Sequence, residues 1–271
     1  MAPARPRPLR PHALALAAIL ATAAPSAAQG PAGAPVDLTH AFDEDAVYWP
    51  TAPPFRLTVE AEGPTEAGWW YAANSFCAAE HGGTHLDAPI HFAEGRQSAA
   101  EVPLDRLMGP AAVVDVRDAA ERDPDLLVGV EAFRAWEAEH GRLEPGAIVL
   151  IRTGWGARWP DAERYLGTAE RGPDAVPDLH FPGLHEEAAR WLVEERDVGA
   201  IGIDTASIDR GQSADFRAHR VLAAADVPIF ENVANLHRVP PTGAWTIALP
   251  MKVAGGTGGP LRIVAFVEGT E

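Results

Sequence analysis

Residues that bind metal ions are concentrated in one short segment of this 271-residue chain. Residues 81–91 read HGGTHLDAPIH and contain four candidate ligands: His81, His85, Asp87 and His91. Imidazole nitrogen and carboxylate oxygen are the ligand atoms that Zn²⁺, Mn²⁺ and Fe²⁺ sites use. A histidine-rich surface loop, or core histidines held by hydrogen bonds, is the alternative explanation. Four candidate ligands so close together favour a metal site.

The spacing of these four residues requires the backbone to bend. All four occupy odd-numbered positions, so an extended strand would point them to one side. Such a strand would also spread the segment over ~33 Å at ~3.3 Å per residue, whereas metal–ligand bonds are only ~2.1 Å long. Gly82, Gly83 and Pro89 allow the necessary bends. The two glycines also argue against a helical pair of histidines.

His219 and Glu231 form a second candidate pair, twelve residues apart. His219 lies in the first turns of a predicted short helix, and Glu231 ends the strand that follows. An ionised carboxylate after an apolar strand needs a partner, because burying it alone costs several kcal/mol. On spacing alone, a solvated histidine and an unrelated strand-end acid is the simpler explanation.

Several other catalytic chemistries are excluded by residues that the chain lacks. Cys77 is the single cysteine, so an intrachain disulfide and a cysteine-based zinc cluster are impossible. Lys252 is the single lysine and follows no glycine-rich loop, and no G-x-S-x-G sequence occurs. Cys77 could itself be a nucleophile, but its position in a predicted strand favours a buried spacer.

The first 28 residues have the organisation of a secretory signal peptide. They contain three arginines and no acid, and residues 13–19 are an uninterrupted run of Ala, Leu and Ile. Small residues precede Ala28, and the apolar run is too short to cross ~30 Å of hydrocarbon. We therefore expect cleavage near Ala28 and a periplasmic or secreted protein. A disordered tail rich in Ala and Pro is the alternative.

The composition argues against two classes of partner. The chain has a net charge of −16, which becomes −19 when the three arginines of residues 1–28 are removed. Such a surface repels phosphate, so we expect neither nucleic acid nor membrane as a partner. No other apolar run approaches 18 residues.

Hydrophobic periodicity predicts one α/β domain over residues 29–271, built on a mixed β-sheet. Strands are predicted at 36–39, 55–61, 69–79, 111–116, 147–152, 198–203, 227–230, 245–249 and 261–267. Helices are predicted at 130–140, 184–196 and 216–225. Residues 156–182 are rich in Pro and Gly and predict a long surface loop.

Residues 81–91 resemble the H-x-G-T-H-x-D-x-P-x-H motif of the metal-dependent cyclase family, which includes bacterial kynurenine formamidases and isatin hydrolases. Weaker similarities follow in the family's order at residues 36–40, 47–50, 149–155, 202–207 and 248–250. His219 and Glu231 match the family's H-x₁₁-E spacing. Gly82 departs from the family, where a polar residue such as Thr is frequent. Short insertions around residues 159–178, together with export, favour the isatin-hydrolase-like branch over the compact kynurenine formamidases.

The resemblance implies the ligands of one or two ions of Mn²⁺ or Zn²⁺: His81, His85, Asp87, His219 and Glu231. The first three would hold one ion, and the last three a second, with Asp87 shared. A one-ion site that uses only the first three is the alternative. His91 would give and accept protons, and Trp49 would pack against an aromatic substrate. The implied fold is a swivelling β/α/β arrangement in homodimers or homotetramers.

Hydrolysis of a C–N amide bond is the predicted activity, in an aryl-linked cyclic amide or a formamide (EC 3.5 type). A bound divalent ion lowers the pKa of water to ~7 and stabilises the oxyanion that forms, and a histidine such as His91 suits proton transfer at neutral pH. A metal-dependent lyase or cyclase and a non-catalytic metal-binding protein are the alternatives. An aromatic wall of Trp49, Trp69 and Trp70 would favour an enzyme.

Asp204 and Ser207 are weaker candidates. They follow a predicted strand and could support the metal ligands from behind. A turn at the end of that strand explains both residues equally well.

Export is open to a direct test. Mass spectrometry of periplasmic material should show an N-terminus near Gln29, because residues 1–28 are expected to be removed. Recovery of the intact Met1 form in the soluble fraction would contradict this expectation.

Overall fold

The chain folds around a set of short strands, twelve of them in residues 33–268, which are the residues that this computed structural model describes. The predicted signal peptide lies outside the described residues. In chain order the strands are β1 (Ala34–Asp37), β2 (Arg56–Pro64), β3 (Trp70–Cys77), β4 (His85–Asp87), β5 (Met108–Asp115), β6 (Leu127–Val128), β7 (Ile148–Arg152), β8 (Gly183–Leu184), β9 (Ala200–Ile203), β10 (Ile229–Glu231), β11 (Ala244–Pro250) and β12 (Gly258–Val267).

Six α-helices lie between these strands in the described part of the chain. They are α1 (Leu104–Leu107), α2 (Arg117–Arg122), α3 (Val130–His140), α4 (Ala162–Leu166), α5 (Glu186–Arg196) and α6 (Arg217–Ala224). Short 3₁₀ turns occupy Pro89–His91, Trp155–Arg158, Pro173–Asp178 and Leu236–Arg238. None of the helices in the described residues is both long enough and apolar enough to span a membrane.

Eight strands form one mixed sheet that closes on itself. Their order is β1-β12-β11-β5-β7-β9-β10-β4, and β4 also pairs with β12. The pairs β5–β7, β7–β9 and β9–β10 are parallel, and the remaining pairs are antiparallel. Parallel neighbours need crossover connections, which the helices provide. The predicted α/β fold on a mixed sheet is confirmed, and the closure is a feature that the strand pattern did not indicate.

Alternating side chains of the central strands enter two different hydrophobic cores. In β7, Ile148 and Leu150 pack in one core, whereas Val149 and Ile151 pack in the other. The second core also receives the apolar faces of α3, α5 and α6. Strands buried on both faces read as continuous apolar runs, and this explains why residues 147–152 were recognisable in the sequence.

Residues 156–182 do not form the predicted surface loop. They contain α4 and a 3₁₀ turn, and Tyr165, Leu179 and Phe181 are fully buried in a third core with Trp155. The prediction was wrong because these apolar residues follow neither the helical nor the strand period, while Pro and Gly are frequent around them. Leu184 was also misplaced, since it belongs to β8 rather than to the following helix.

Strands β2 and β3 form a hairpin that pairs only with itself among the described residues. The alternating pattern of residues 55–61 predicts a strand with one buried face, but the strand is exposed, and Cys77 is exposed rather than buried. Trp69 and Trp70 are also exposed, at 63% and 65%, so they do not form an aromatic wall at the candidate site. A period-2 pattern shows that one face of a strand is apolar, but it does not show what covers that face.

Candidate metal centre

Strand β4 carries two of the predicted ligands into the closed part of the sheet. His85 and Asp87 are its first and last residues, so their side chains point to the same face. The antiparallel neighbour β10 places Glu231 directly opposite His85. Directly opposite residues in such a pair lie on one face with their Cβ atoms ~5 Å apart. Glu231, which is distant in sequence from His85 and Asp87, therefore meets them because of strand register.

His81 reaches the same place through a bend at Gly82 and Gly83. Gly83 has a φ of +59°, in the left-handed region that favours glycine. A Cβ at Gly82 would overlap the Tyr48 ring, which lies against this residue in an isolated antiparallel bridge. The departure from the family motif at position 82 therefore has a physical reason, since the space of the usual side chain is filled by Tyr48.

His219 comes from the first turn of α6. Its Nε2 lies 3.0 Å from Asp87 Oδ2 and 3.2 Å from Glu231 Oε1. The residues before α6 hold both ligands: Asp209 accepts a hydrogen bond from the His219 ring at 2.7 Å, and the Ile208 N–H donates to Glu231 Oε1 at 2.6 Å. The twelve-residue spacing thus corresponds to a real contact between His219 and Glu231.

All five predicted ligands lie together and form two groups that share Asp87. One group is His81, His85 and Asp87, and the other is Asp87, His219 and Glu231; within each group the ligand atoms lie within 4.8 Å of one another. Asp87 Oδ1 is 2.5 Å from His81 Nδ1 and 3.1 Å from His85 Nε2. Asp87 and Glu231 each direct one oxygen towards His85 and the other towards His219. The distance from Glu231 Oε2 to His85 Nε2 is 3.4 Å.

The donor set fits a divalent cation, as the hydrogen bonds of the three imidazoles show. In each ring, the nitrogen that faces away from Asp87 and Glu231 has a hydrogen-bond partner. The partners are the Gly83 carbonyl for His85 at 2.9 Å, the Thr257 hydroxyl for His81 at 2.8 Å, and Asp209 for His219. His85 Nε2 is buried and makes no hydrogen bond to the described residues. Three ring nitrogens therefore converge on two buried carboxylates, which is the arrangement of a metal site.

Electrostatics in this cluster favour bound positive charge. Burial opposes the charged form of Asp87, yet His81 and His85 hold the pKa of its carboxyl well below its ordinary value. Burial likewise opposes protonation of His85, but Asp87 and Glu231 raise its pKa to about 10. The His219 pKa is also raised well above 6.5, against burial, by Asp209 and the two ligand carboxylates. A divalent cation competes with these protons for the same nitrogen atoms.

His91 lies beside the cluster but belongs to neither ligand group. It ends the 3₁₀ turn Pro89–His91, and its ring stacks on His81 with 3.8 Å between ring centroids. Burial lowers the pKa of His91 to about 4. The ring is therefore neutral at pH 7, and it is a weaker base than an exposed histidine.

An apolar pocket of about 300 Å³ opens onto the ligands. Its aromatic lining is Tyr48, Trp49, Phe92 and Phe216. Trp49, the predicted substrate contact, is held edge-on against Phe181 at 6.4 Å. A pocket of this size is at the lower end of the range for small-molecule sites, and its lining suits a flat aromatic ligand.

Sequence reasoning missed the residues that support the ligands. Asp209 and Thr257 were not singled out, and Asn232 holds the bend by donating to the Gly83 carbonyl at 2.7 Å. No periodic signal marks such residues, because each acts by one hydrogen bond across the fold. Of the two weaker candidates, Asp204 accepts hydrogen bonds from Thr153 and Gly154 and so closes a strand-end turn, whereas Ser207 lines the pocket.

The sequence matches the Cyclase family over residues 36–210. It is similar to an isatin hydrolase of Roseibium aggregatum, with 34% identity over 216 residues that cover 77% of this chain and 78% of that protein. It is also similar to a kynurenine formamidase of Sphingopyxis alaskensis, with 31% identity over 233 residues that cover 84% of this chain and 95% of that protein.

Solved structures of isatin hydrolases are also similar to this chain. Isatin hydrolase A from Labrenzia aggregata, bound to benzyl benzoate, superposes with a TM-score of 0.78 and 34% identity, covering 87% of this chain and 94% of that one. An isatin hydrolase bound to the product analogue thioisatinate gives a TM-score of 0.77 and 30% identity, covering 87% and 92%.

Glu231→Gln tests the second ligand group. The amide keeps the shape but removes the charge, so we expect the affinity for Mn²⁺ or Zn²⁺ to fall at least about tenfold, measured by equilibrium dialysis with elemental analysis. Glu62→Gln, an exposed position on β2, is the control and should bind metal as the unmodified protein does. Undiminished binding by Glu231→Gln would favour the one-ion site of His81, His85 and Asp87.

Proposed function

This chain belongs to the cyclase family, and we propose that it is a metal-dependent hydrolase that cleaves the C–N bond of a small aromatic amide. The observation that carries the proposal is the position of the two ligand groups at the base of an aromatic pocket, with His91 beside them. A strained cyclic aryl amide, as in isatin, is the substrate class best supported, because the isatin hydrolases combine 30–34% identity with TM-scores of 0.77–0.78. An aryl formamide is the second candidate, supported by the similarity to kynurenine formamidases.

The metal would be held by His81, His85, Asp87, His219 and Glu231, and Mn²⁺ or Zn²⁺ suits these nitrogen and oxygen ligands. When bound, such an ion lowers the pKa of its water to ~7 and polarises the substrate carbonyl. Asp87 and Glu231 both face the two sides of the cluster, which supports two ions as well as one. A closed cage without a pocket would suit a metal-storage protein better than this open site does.

His91 would move the proton that hydrolysis requires. Water attacks the amide carbon, a C–O bond forms, and the proton that water loses passes to neutral His91. The C–N bond then breaks, and His91 gives this proton to the departing nitrogen. Stacking on His81 fixes the His91 ring next to the ligands. Trp49 and Phe92 would cover the aromatic ring of the substrate and exclude further water.

We also propose that the protein is a homodimer assembled through the β2–β3 hairpin. Large apolar side chains of this hairpin are each more than half exposed: Leu57, Val59, Trp69, Trp70, Tyr71 and Phe76. Four of them, Leu57, Val59, Trp70 and Phe76, share one face, and at ~100 Å² for each they offer roughly 400 Å², about half of the ~800 Å² that each partner contributes to a standard interface. Register places Leu57 opposite Phe76, and Val59 and Trp70 lie on that same face.

A second copy is the occupant that this face fits. A lone two-stranded hairpin is only marginally stable in water, and this hairpin pairs with no other strand within residues 33–268. Two copies related by a two-fold axis bring the same face together. A homotetramer, the other expected state, requires a further interface.

A periplasmic or extracellular location is part of the same proposal. It is supported by the charge and apolar pattern of residues 1–28 alone, which lie outside the described residues. The acidic surface and the apolar pocket suit a soluble enzyme acting on uncharged aromatic compounds.

His91→Ala tests proton transfer. We expect kcat on isatin or a formanilide to fall ~10²–10⁴-fold while bound metal, measured by elemental analysis, stays near its original level. His237→Ala, which changes an exposed histidine, should keep full activity. Loss of metal in parallel with activity would make His91 a ligand, and an unchanged kcat would remove it from the mechanism.

Replacing Val59 and Trp70 together with Asp tests the dimer. Charges on this face should prevent its burial and halve the mass measured by light scattering after gel filtration. Leu104→Asp, at a position 59% exposed outside the hairpin, should leave the mass unchanged. A monomeric mass for the unmodified protein would refute the proposal.

A further inference from the structure

Asp209 stands behind His219 and accepts three hydrogen bonds from the start of α6, two of them from His219 itself. Its Oδ1 accepts the Ala218 backbone N–H at 3.0 Å, and its Oδ2 accepts the His219 backbone N–H at 3.1 Å. Oδ2 also accepts the ring Nδ1–H of His219 at 2.7 Å. The carboxyl group is buried, with 4% of the residue exposed, and its only ion pair within residues 33–268 is with His219.

When a cation occupies the side of the ring that faces Asp87 and Glu231, the contact with Asp209 keeps the remaining proton of His219 on Nδ1. An ionised carboxylate can only accept hydrogen bonds, so Nδ1 must donate. The lone pair of Nε2 then points towards Asp87 and Glu231, where a cation would lie. The opposite tautomer would place a lone pair against Asp209 at 2.7 Å and an N–H against the cation.

The other two imidazoles are backed differently. His85 meets a backbone carbonyl, and His81 meets the hydroxyl of Thr257, which itself contacts Glu80 at 2.7 Å. Of the three ligand imidazoles, only His219 is hydrogen-bonded directly to a carboxylate through the ring nitrogen that faces away from Asp87 and Glu231. A carboxylate in this place makes the opposite ring nitrogen a stronger metal donor.

Asp209 also couples His219 to the neighbouring ligand. The preceding residue, Ile208, donates its N–H to Glu231 Oε1 at 2.6 Å. Two consecutive residues therefore orient both ligands that complete the second group. The Asp209 backbone N–H is held in turn by Ser207 Oγ at 3.2 Å.

We propose that Asp209 is a positioning residue that fixes the metal-binding tautomer of His219 and so sets the affinity of the second ligand group for a divalent cation. The proposal rests on the metal centre of the proposed function, but it does not depend on the identity of the substrate.

Asp209→Asn provides the test, because an amide has one accepting and one donating end. If its oxygen keeps accepting the Ala218 N–H, its NH₂ loses the bond to the His219 N–H, faces His219 Nδ1 and forces the proton onto Nε2. In the opposite orientation the oxygen still accepts from His219, but the negative charge behind the ring is gone. We expect the dissociation constant for Zn²⁺, measured by competition with a chelating indicator, to rise ~10–100-fold. Asp125→Asn is the matched control, since Asp125 pairs with His180 at 2.9 Å on the surface, and it should leave the constant unchanged.

Nitrogen-15 NMR of the Zn²⁺-loaded unmodified protein gives a second readout that needs no stable Asp209 variant. The His219 signal, assigned by its loss in His219→Gln, should show the proton on Nδ1. A proton on Nε2 would overturn the proposal, as would unchanged Zn²⁺ affinity in a folded Asp209→Asn protein. Tight Zn²⁺ binding without amide hydrolysis would instead refute the proposed function and leave the role of Asp209 intact.

Discussion

Strand β4 is hydrogen-bonded along both edges, to β10 on one side and to β12 on the other, and the fold and the metal centre both follow from this double pairing. It closes the sheet, and the same hydrogen bonds place His85 opposite Glu231. A shift of the β4–β10 register by one residue would turn His85 and Asp87 to the other face. Closure of the sheet and the meeting of His85, Asp87 and Glu231 therefore depend on the same strand pairing, and His81 and His219 are added from a bend and from α6.

The closed fold buries negatively charged carboxylates, and a bound cation balances their charge. Asp87, Glu231 and Asp209 are each at most 4% exposed, and no arginine or lysine pairs with them among residues 33–268. Buried carboxylates are costly unless positive charge compensates them. The histidines compensate in part by taking up protons, and a divalent ion does so more completely. The same charges that would destabilise an empty site give the loaded site its affinity.

His91 and an aromatic pocket lie next to the ligand groups. His91 stacks on His81, and burial keeps its ring neutral, so it does not balance the charge of the carboxylates. The pocket above it is apolar and aromatic, although the protein surface is strongly acidic. Family membership fits an aromatic pocket, since the isatin hydrolases and kynurenine formamidases that this chain resembles act on aromatic amides.

The motif at residues 81–91 and the resemblance that it carries were enough to identify the family and the residues that meet at the centre. Hydrophobic periodicity was enough for the α/β fold class because it reports burial, and residues 130–140 were recovered as a helix with the observed bounds. Three-dimensional contacts were needed to show that β4 closes the sheet, that parts of residues 156–182 pack in a third core and that β2 and β3 pair only with each other. Asp209 likewise became visible only in the fold, because one hydrogen bond to His219 leaves no repeating pattern along the chain. Contacts across the fold depend on register and closure, which no local period encodes.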